Sequence, residues 1–167
     1  MHARKLTVLA LFTTLSLAIY AVESAIPPLV PIPGIKLGLA NIVTLVLLHC
    51  ASPRDAFLAL IARILLSALL FGNALSLLYS LLGGSFSLLA MMLGARLLQK
   101  RLVFLTGALG GLAHNMGQLL IALIVTATPG IAAYLPFLIL SGILTGLFTG
   151  LCGEFSIRLL RGRHILQ

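Results

Sequence analysis

Six long apolar runs divide this chain, separated by short stretches of proline, glycine or basic residues, and nothing between them is long enough to fold on its own in water. The runs cover about residues 6–26, 35–50, 56–71, 74–95, 102–126 and 131–157. One crossing of the hydrocarbon takes about 20 apolar residues, so six crossings consume most of the 167 residues and leave only connections and ends. With 60% of residues apolar, 8% charged and a mean hydropathy of +1.19, the remaining solvent must be lipid. A soluble body of this size buries only about 70% of its unfolded surface, which excludes a water-soluble globule. The expected fold is all-α: a polytopic membrane protein, one integral-membrane domain over residues 1–167, forming a compact bundle of six transmembrane helices.

Eleven Lys and Arg stand against three acids, Glu23, Asp55 and Glu154, for a formal charge of +8. The basic residues lie in short runs between apolar stretches, the pattern that orients membrane proteins rather than one that grips phosphate backbones, so no nucleic-acid partner is expected. Taking the connections alternately, one side receives Arg4, Lys5, Arg54, Arg96, Lys100, Arg101, Arg158, Arg161 and Arg163, and the other receives Lys36. Arg63 lies within the third run. The positive-inside rule then puts both termini in the cytoplasm of a multi-pass protein of the cell (inner) membrane. Cys50 and Cys152 fall on the cytoplasmic side, where thiols stay reduced, and no disulfide is expected. Ser24 and Ala25 look like a signal-peptidase site, but every later run also spans, and the first is read as an uncleaved helix. Pro27, Pro28, Pro31, Pro33 and Gly34 cannot continue a helix and form an outer loop able to dip into the bilayer. The outer connections carry almost no charge, which suits an apolar or amphipathic ligand or simply a compact protein with little outside.

An ionised side chain at mid-membrane costs about 2.5 to 3.5 kcal/mol on insertion scales and needs a partner or a cavity. Arg63 is the most expensive, read either as a clamp on neighbouring carbonyls or Glu, or as a ligand contact. Glu23 has Lys36 or the interface as its alternatives. The fifth run holds the densest polar cluster, Gly107, Gly110, Gly111, His114, Asn115, Gly117 and Gln118. His114 and Gln118 are four residues apart and share a helix face. The glycines suit close backbone packing as well as a ligand, whereas the polar trio favours a water-lined or ligand-lined surface. No second histidine lies at the depth of His114, so no metal or haem is expected. Asn41 and Asn73 complete the uncharged polar set. Small residues repeat every four positions at Ala21 and Ala25, and at Gly142, Gly146 and Gly150, beside Thr145 and Thr149. Internal packing is the default for such repeats and docking to another membrane subunit the alternative.

Prenyl-chain synthases hold magnesium and a diphosphate with clustered aspartates, and this chain has one Asp, Asp55. P-loop, paired catalytic acids and zinc spacing are all missing, so no catalytic residue and no cofactor are assigned.

PGIKLGLAN (33–41), GALGGLAHNMGQ (107–118) and SGILTGLFTG (141–150) resemble the small membrane proteins of the Gx transporter family, also called heptaprenyl diphosphate synthase component I. That family is similar in size and layout to the S components of energy-coupling-factor vitamin transporters. The resemblance implies an outward-opening ligand pocket and docking, through small-residue faces such as Ala21 and Ala25, to a transmembrane coupling subunit served by cytoplasmic ATPases. The leading expectation is a substrate-capture subunit. In it Lys36 takes an anionic group of a small molecule, Asn41 and Asn73 orient it, and His114, Asn115 and Gln118 form the pocket wall. The alternatives are an accessory subunit of heptaprenyl diphosphate or quinone synthesis, and a membrane subunit of flavin-linked electron transfer.

Overall fold

The computed structural model describes residues 3–26, 36–71, 74–98 and 102–161. Six α-helices follow in order: α1 (Ala3–Ser24), α2 (Asn41–Cys50), α3 (Pro53–Phe71), α4 (Ala74–Leu97), α5 (Val103–Thr126) and α6 (Leu135–Arg161), the last preceded by a 3-10 turn at Pro129–Tyr134. All regular structure among the described residues is helical. Helices α1, α4 and α5, and the stretch Pro129–Leu160 that contains α6, are long and apolar enough to cross a membrane. At nineteen residues α3 has the length, but it carries Arg54, Asp55 and Arg63.

The second run departs from expectation. Residues 36–40 are turn and extended chain, and the helix begins only at Asn41, ten residues before it ends. At 1.5 Å per residue it is about 15 Å long, half the thickness of the hydrocarbon. The cause is local: Gly38 adopts φ +81°, a left-handed conformation that interrupts the helix at a residue without a Cβ. The short helix is almost wholly buried from Asn41 to His49 and touches every other helix, so it forms the central peg of the bundle.

The outward faces of the helices are apolar, and the interior combines a hydrophobic core with buried polar side chains. On α6, Leu140, Leu144, Phe148, Leu151, Phe155 and Leu159 are exposed, while Gly142, Gly146, Thr149 and Gly150 face inward. This distribution inverts that of a soluble bundle and fits lipid as the outer solvent. The tightest seam joins α5 to α6. A Cβ added to Gly107 would stand 2.5 Å from the Gly146 carbonyl oxygen, so the backbones touch directly. Across α4 and α5 the same device recurs, since a Cβ at Gly117 would meet the Leu82 carbonyl at 2.8 Å. The α6 glycine repeat is thus spent on internal packing. The apolar core is built around α2, where Leu45, Leu47, Leu60, Ile64 and Met91 pack together.

Helix α3 starts on a capping box. The Asp55 amide donates to Ser52 Oγ (3.2 Å), whose hydroxyl donates to Asp55 Oδ2 (2.7 Å), and Pro53 occupies the first helical position. Asp55 also pairs with Lys5 Nζ at 2.8 Å, tying the start of α1 to that of α3.

Candidate functional site

The charged and amide side chains of four helices converge where α2 begins. On α1 the buried positions are Leu9, Thr13, Ser16, Tyr20 and Glu23, an alternating spacing of four and three that makes one continuous seam. Its outer half is polar, and it faces residues 36–41. Ser16 Oγ donates to the Ala40 carbonyl (3.2 Å), and the Gly38 amide donates to Glu23 Oε1 (2.5 Å). Glu23 is therefore turned into the bundle and buried. Its carboxylate accepts from the backbone just before the N-terminus of α2, where the helix dipole favours negative charge.

Lys36 sits at the outer rim of this cluster. Its Nζ donates to Ser24 Oγ (2.6 Å) and lies 3.7 Å from the centre of the Tyr20 ring, a cation–π contact. Its backbone amide donates to Gln118 Oε1 (3.2 Å), which joins the loop to α5. The Tyr20 hydroxyl bonds Ser76 Oγ at 2.8 Å.

Deeper in, Arg63 Nη2 donates to Asn41 Oδ1 across a long 3.5 Å, and Asn41 Nδ2 reaches His114 Nδ1 at 3.2 Å. When Asn41 Oδ1 faces the guanidinium and its Nδ2 donates to Nδ1, the neutral His114 ring carries its proton on Nε2. That atom is buried and has no hydrogen-bond partner, and neither does Arg63 Nε. Buried donors without partners are rare and costly. The Arg63 charge acts on Glu23 without a direct ion pair. The imidazole is held between two glycines: a Cβ at Gly38 would stand 2.8 Å from its Cδ2, and one at Gly83 would stand 2.8 Å from its Cε1.

The structure thus brings Lys36, Asn41, His114 and Gln118 into one cluster. Asn115 points elsewhere. Its Nδ2 donates to the Leu138 carbonyl (2.8 Å) and to Ser141 Oγ (3.1 Å), locking α5 to the outer end of α6, while its Oδ1 is buried without a partner. Asn73 lies outside the described residues. Ala21 is half-buried and Ala25 exposed, both off the buried α1 seam. Tyr20, Gly38 and Gly83 were not singled out from the sequence. The α1 spacing would have found Tyr20, but the two glycines are legible only once His114 is seen between them. Among the described residues no group of three or more His, Cys, Asp or Glu could hold a metal ion.

Against known protein families, residues 12–156 match heptaprenyl diphosphate synthase component I. The chain belongs to that family. No match is found among curated proteins or among solved structures. Family membership fits a chain that has one aspartate and several helices long and apolar enough to cross a membrane, because a component need not carry the synthase's catalytic carboxylates.

Proposed function

We propose that this chain is a non-catalytic capture subunit of the membrane, similar to the S component of an energy-coupling-factor transporter, which binds a small anionic molecule at the outer half of the bundle. The observation that carries the reading is the pair of buried, unpartnered donors, Arg63 Nε and His114 Nε2, in a cluster where two cationic side chains face one carboxylate. Unsatisfied N–H groups and an excess of positive charge call for acceptor oxygens. Residues 36–40 act as the plug. Their amides occupy Gln118 Oε1 and Glu23 Oε1, and Gly38 abuts the His114 ring at its Cδ2 and Nε2 edge. An incoming anion displaces the plug and takes over the His114 and Arg63 donors, with Gln118 and Asn41 orienting it and Asn115 holding the α6 wall behind. In this reading the subunit draws energy from a coupling subunit with cytoplasmic ATPases, docked at the end of α1 through Ala21 and, just beyond the helix, the exposed Ala25.

Family membership supports a second reading, a non-catalytic membrane component in heptaprenyl diphosphate synthesis. In that reading a partner supplies the aspartates that hold magnesium.

The test is mass spectrometry of small molecules that co-purify with the wild-type chain and with His114→Ala, Gln118→Ala and Arg63→Gln. The capture reading expects an anionic compound with the wild type that is depleted in folded variants; identical content in all four overturns it. A pull-down separates the two partner sets, ATPase subunits supporting the first reading and an aspartate-rich prenyl synthase the second.

A further inference from the structure

Residues 36–40 satisfy only half of the polar cluster they close. The Lys36 amide donates to Gln118 Oε1 (3.2 Å) and the Gly38 amide to Glu23 Oε1 (2.5 Å), so acceptors on α5 and α1 are filled by N–H groups two residues apart in one peptide segment. The donors fare differently. Arg63 and His114 are 3% and 4% exposed, and among the described residues Arg63 Nε and His114 Nε2 have no hydrogen-bond partner. The imidazole donor lies against the backbone of the plug, because a Cβ on Gly38 would stand 3.0 Å from His114 Nε2.

A molecule that replaces the plug has two demands to meet. It must present N–H donors at the same spacing, since an occupant without them strands a buried carboxylate and a buried amide oxygen. It must also bring an anionic acceptor to His114 and Arg63, which the plug does not supply. Three residues of peptide ending in a carboxylate do both. The ammonium or amide of the first residue answers Gln118, the amide of the third answers Glu23, and the carboxylate is carried on the Cα that abuts the His114 ring. A tethered segment competes at high effective concentration, and the free carboxylate is the added contact that lets a diffusing ligand prevail over it. The ring also limits the third residue to glycine, as a Cβ there meets His114 Cδ2 at 2.8 Å.

We propose, resting on the capture reading, that the polar cluster binds a short peptide with a C-terminal glycine and a free carboxylate in place of residues 36–38.

The full-length chain in nanodiscs is titrated calorimetrically with Lys-Leu-Gly, the sequence of residues 36–38, and with three relatives. The C-terminal amide removes the charge, N-methylation of the glycine removes the donor to Glu23, and Lys-Leu-Ala adds the Cβ. Each should bind at least about tenfold more weakly than Lys-Leu-Gly, the order expected for one charge-assisted hydrogen bond or one close contact. Glutarate, an anion without N–H donors, should bind no better than these relatives. His114→Ala should shrink the preference for acid over amide and keep the preference over the N-methyl peptide, a split that general loss of structure does not produce; Arg63→Gln gives the same readout if His114→Ala does not fold. No binding of Lys-Leu-Gly, equal binding of its acid, amide and N-methyl forms, or glutarate binding as tightly, overturns the peptide inference. The capture reading survives any of these results if a non-peptide anion co-purifies with the wild type and is depleted in His114→Ala, and it falls as well if no anion does.

Discussion

Gly38 and Gly83 show how single residues shape the polar cluster. Gly38 combines φ +81° with contact on the His114 ring, so Gly38→Ala meets both backbone strain and a clash. A loss of about 1 to 3 kcal/mol is expected, measured as a lower melting temperature in detergent. Gly130 supplies the contrast, because a Cβ there meets only Thr128 Cγ2 at 4.0 Å, and Gly130→Ala should stay within about 0.5 kcal/mol of wild type. Asp55 yields a pH prediction. Burial pushes its carboxyl up, but the hydrogen bonds of Lys5 and Ser52 and the Lys5 charge outweigh this and hold it below the ordinary carboxylate value. A lowered folded-state value means the pair stabilises the protein above the unfolded carboxylate range, and the contribution is lost as pH falls through the folded value. Lys5 is half-exposed, so the effect is small, at most about 1 kcal/mol. Melting curves of wild type and Asp55→Asn should differ at pH 7 and converge once the pH falls below the lowered value of the folded carboxyl.

At the scale of elements, the decisive features are the short α2 and the glycine seam of α5 and α6. Because backbone meets backbone along the seam, any side chain introduced at Gly107, Gly111 or Gly146 pushes the helices apart. Gly146→Val should cost several times as much as Gly38→Ala and abolish a cooperative melt, read by circular dichroism against temperature. The breadth of α2's contacts makes it the element whose displacement every helix feels. Opening residues 36–40 breaks the bonds to Glu23, Gln118, Ser16 and Ser24 and the Lys36–Tyr20 contact, whereas displacing α2 disturbs the packing of every other helix. That inequality is why the plug, rather than the peg, is the moving part in the capture reading.

For the whole molecule, the charge partition predicts that the base of α3 and the end of α4 lie in the cytoplasm and residues 127–134 outside. A cysteine-free variant carrying Thr128→Cys should react with a membrane-impermeant maleimide on intact cells. Arg54→Cys in the same background should react only after the membrane is opened. The opposite labelling would invert the topology.

What the chain's order of residues settled was its solvent, its helical class and the runs that become helices, because twenty-residue hydropathy and cation placement are properties of linear stretches. It also settled that His114 and Gln118 share a face, since helical periodicity alone requires it. Residues 107, 111, 142 and 146 were legible as close-packing positions, but the internal partner of the α6 glycines was not. Tertiary structure alone decided that the second run is half a helix, that Glu23 reaches the Gly38 amide, that Arg63 reaches Asn41, and that Asn115 turns toward α6. Each of these depends on groups brought together from distant parts of the chain. The polar atoms of an intramembrane bundle take the nearest donor or acceptor that packing leaves within reach, and no local pattern specifies which that will be.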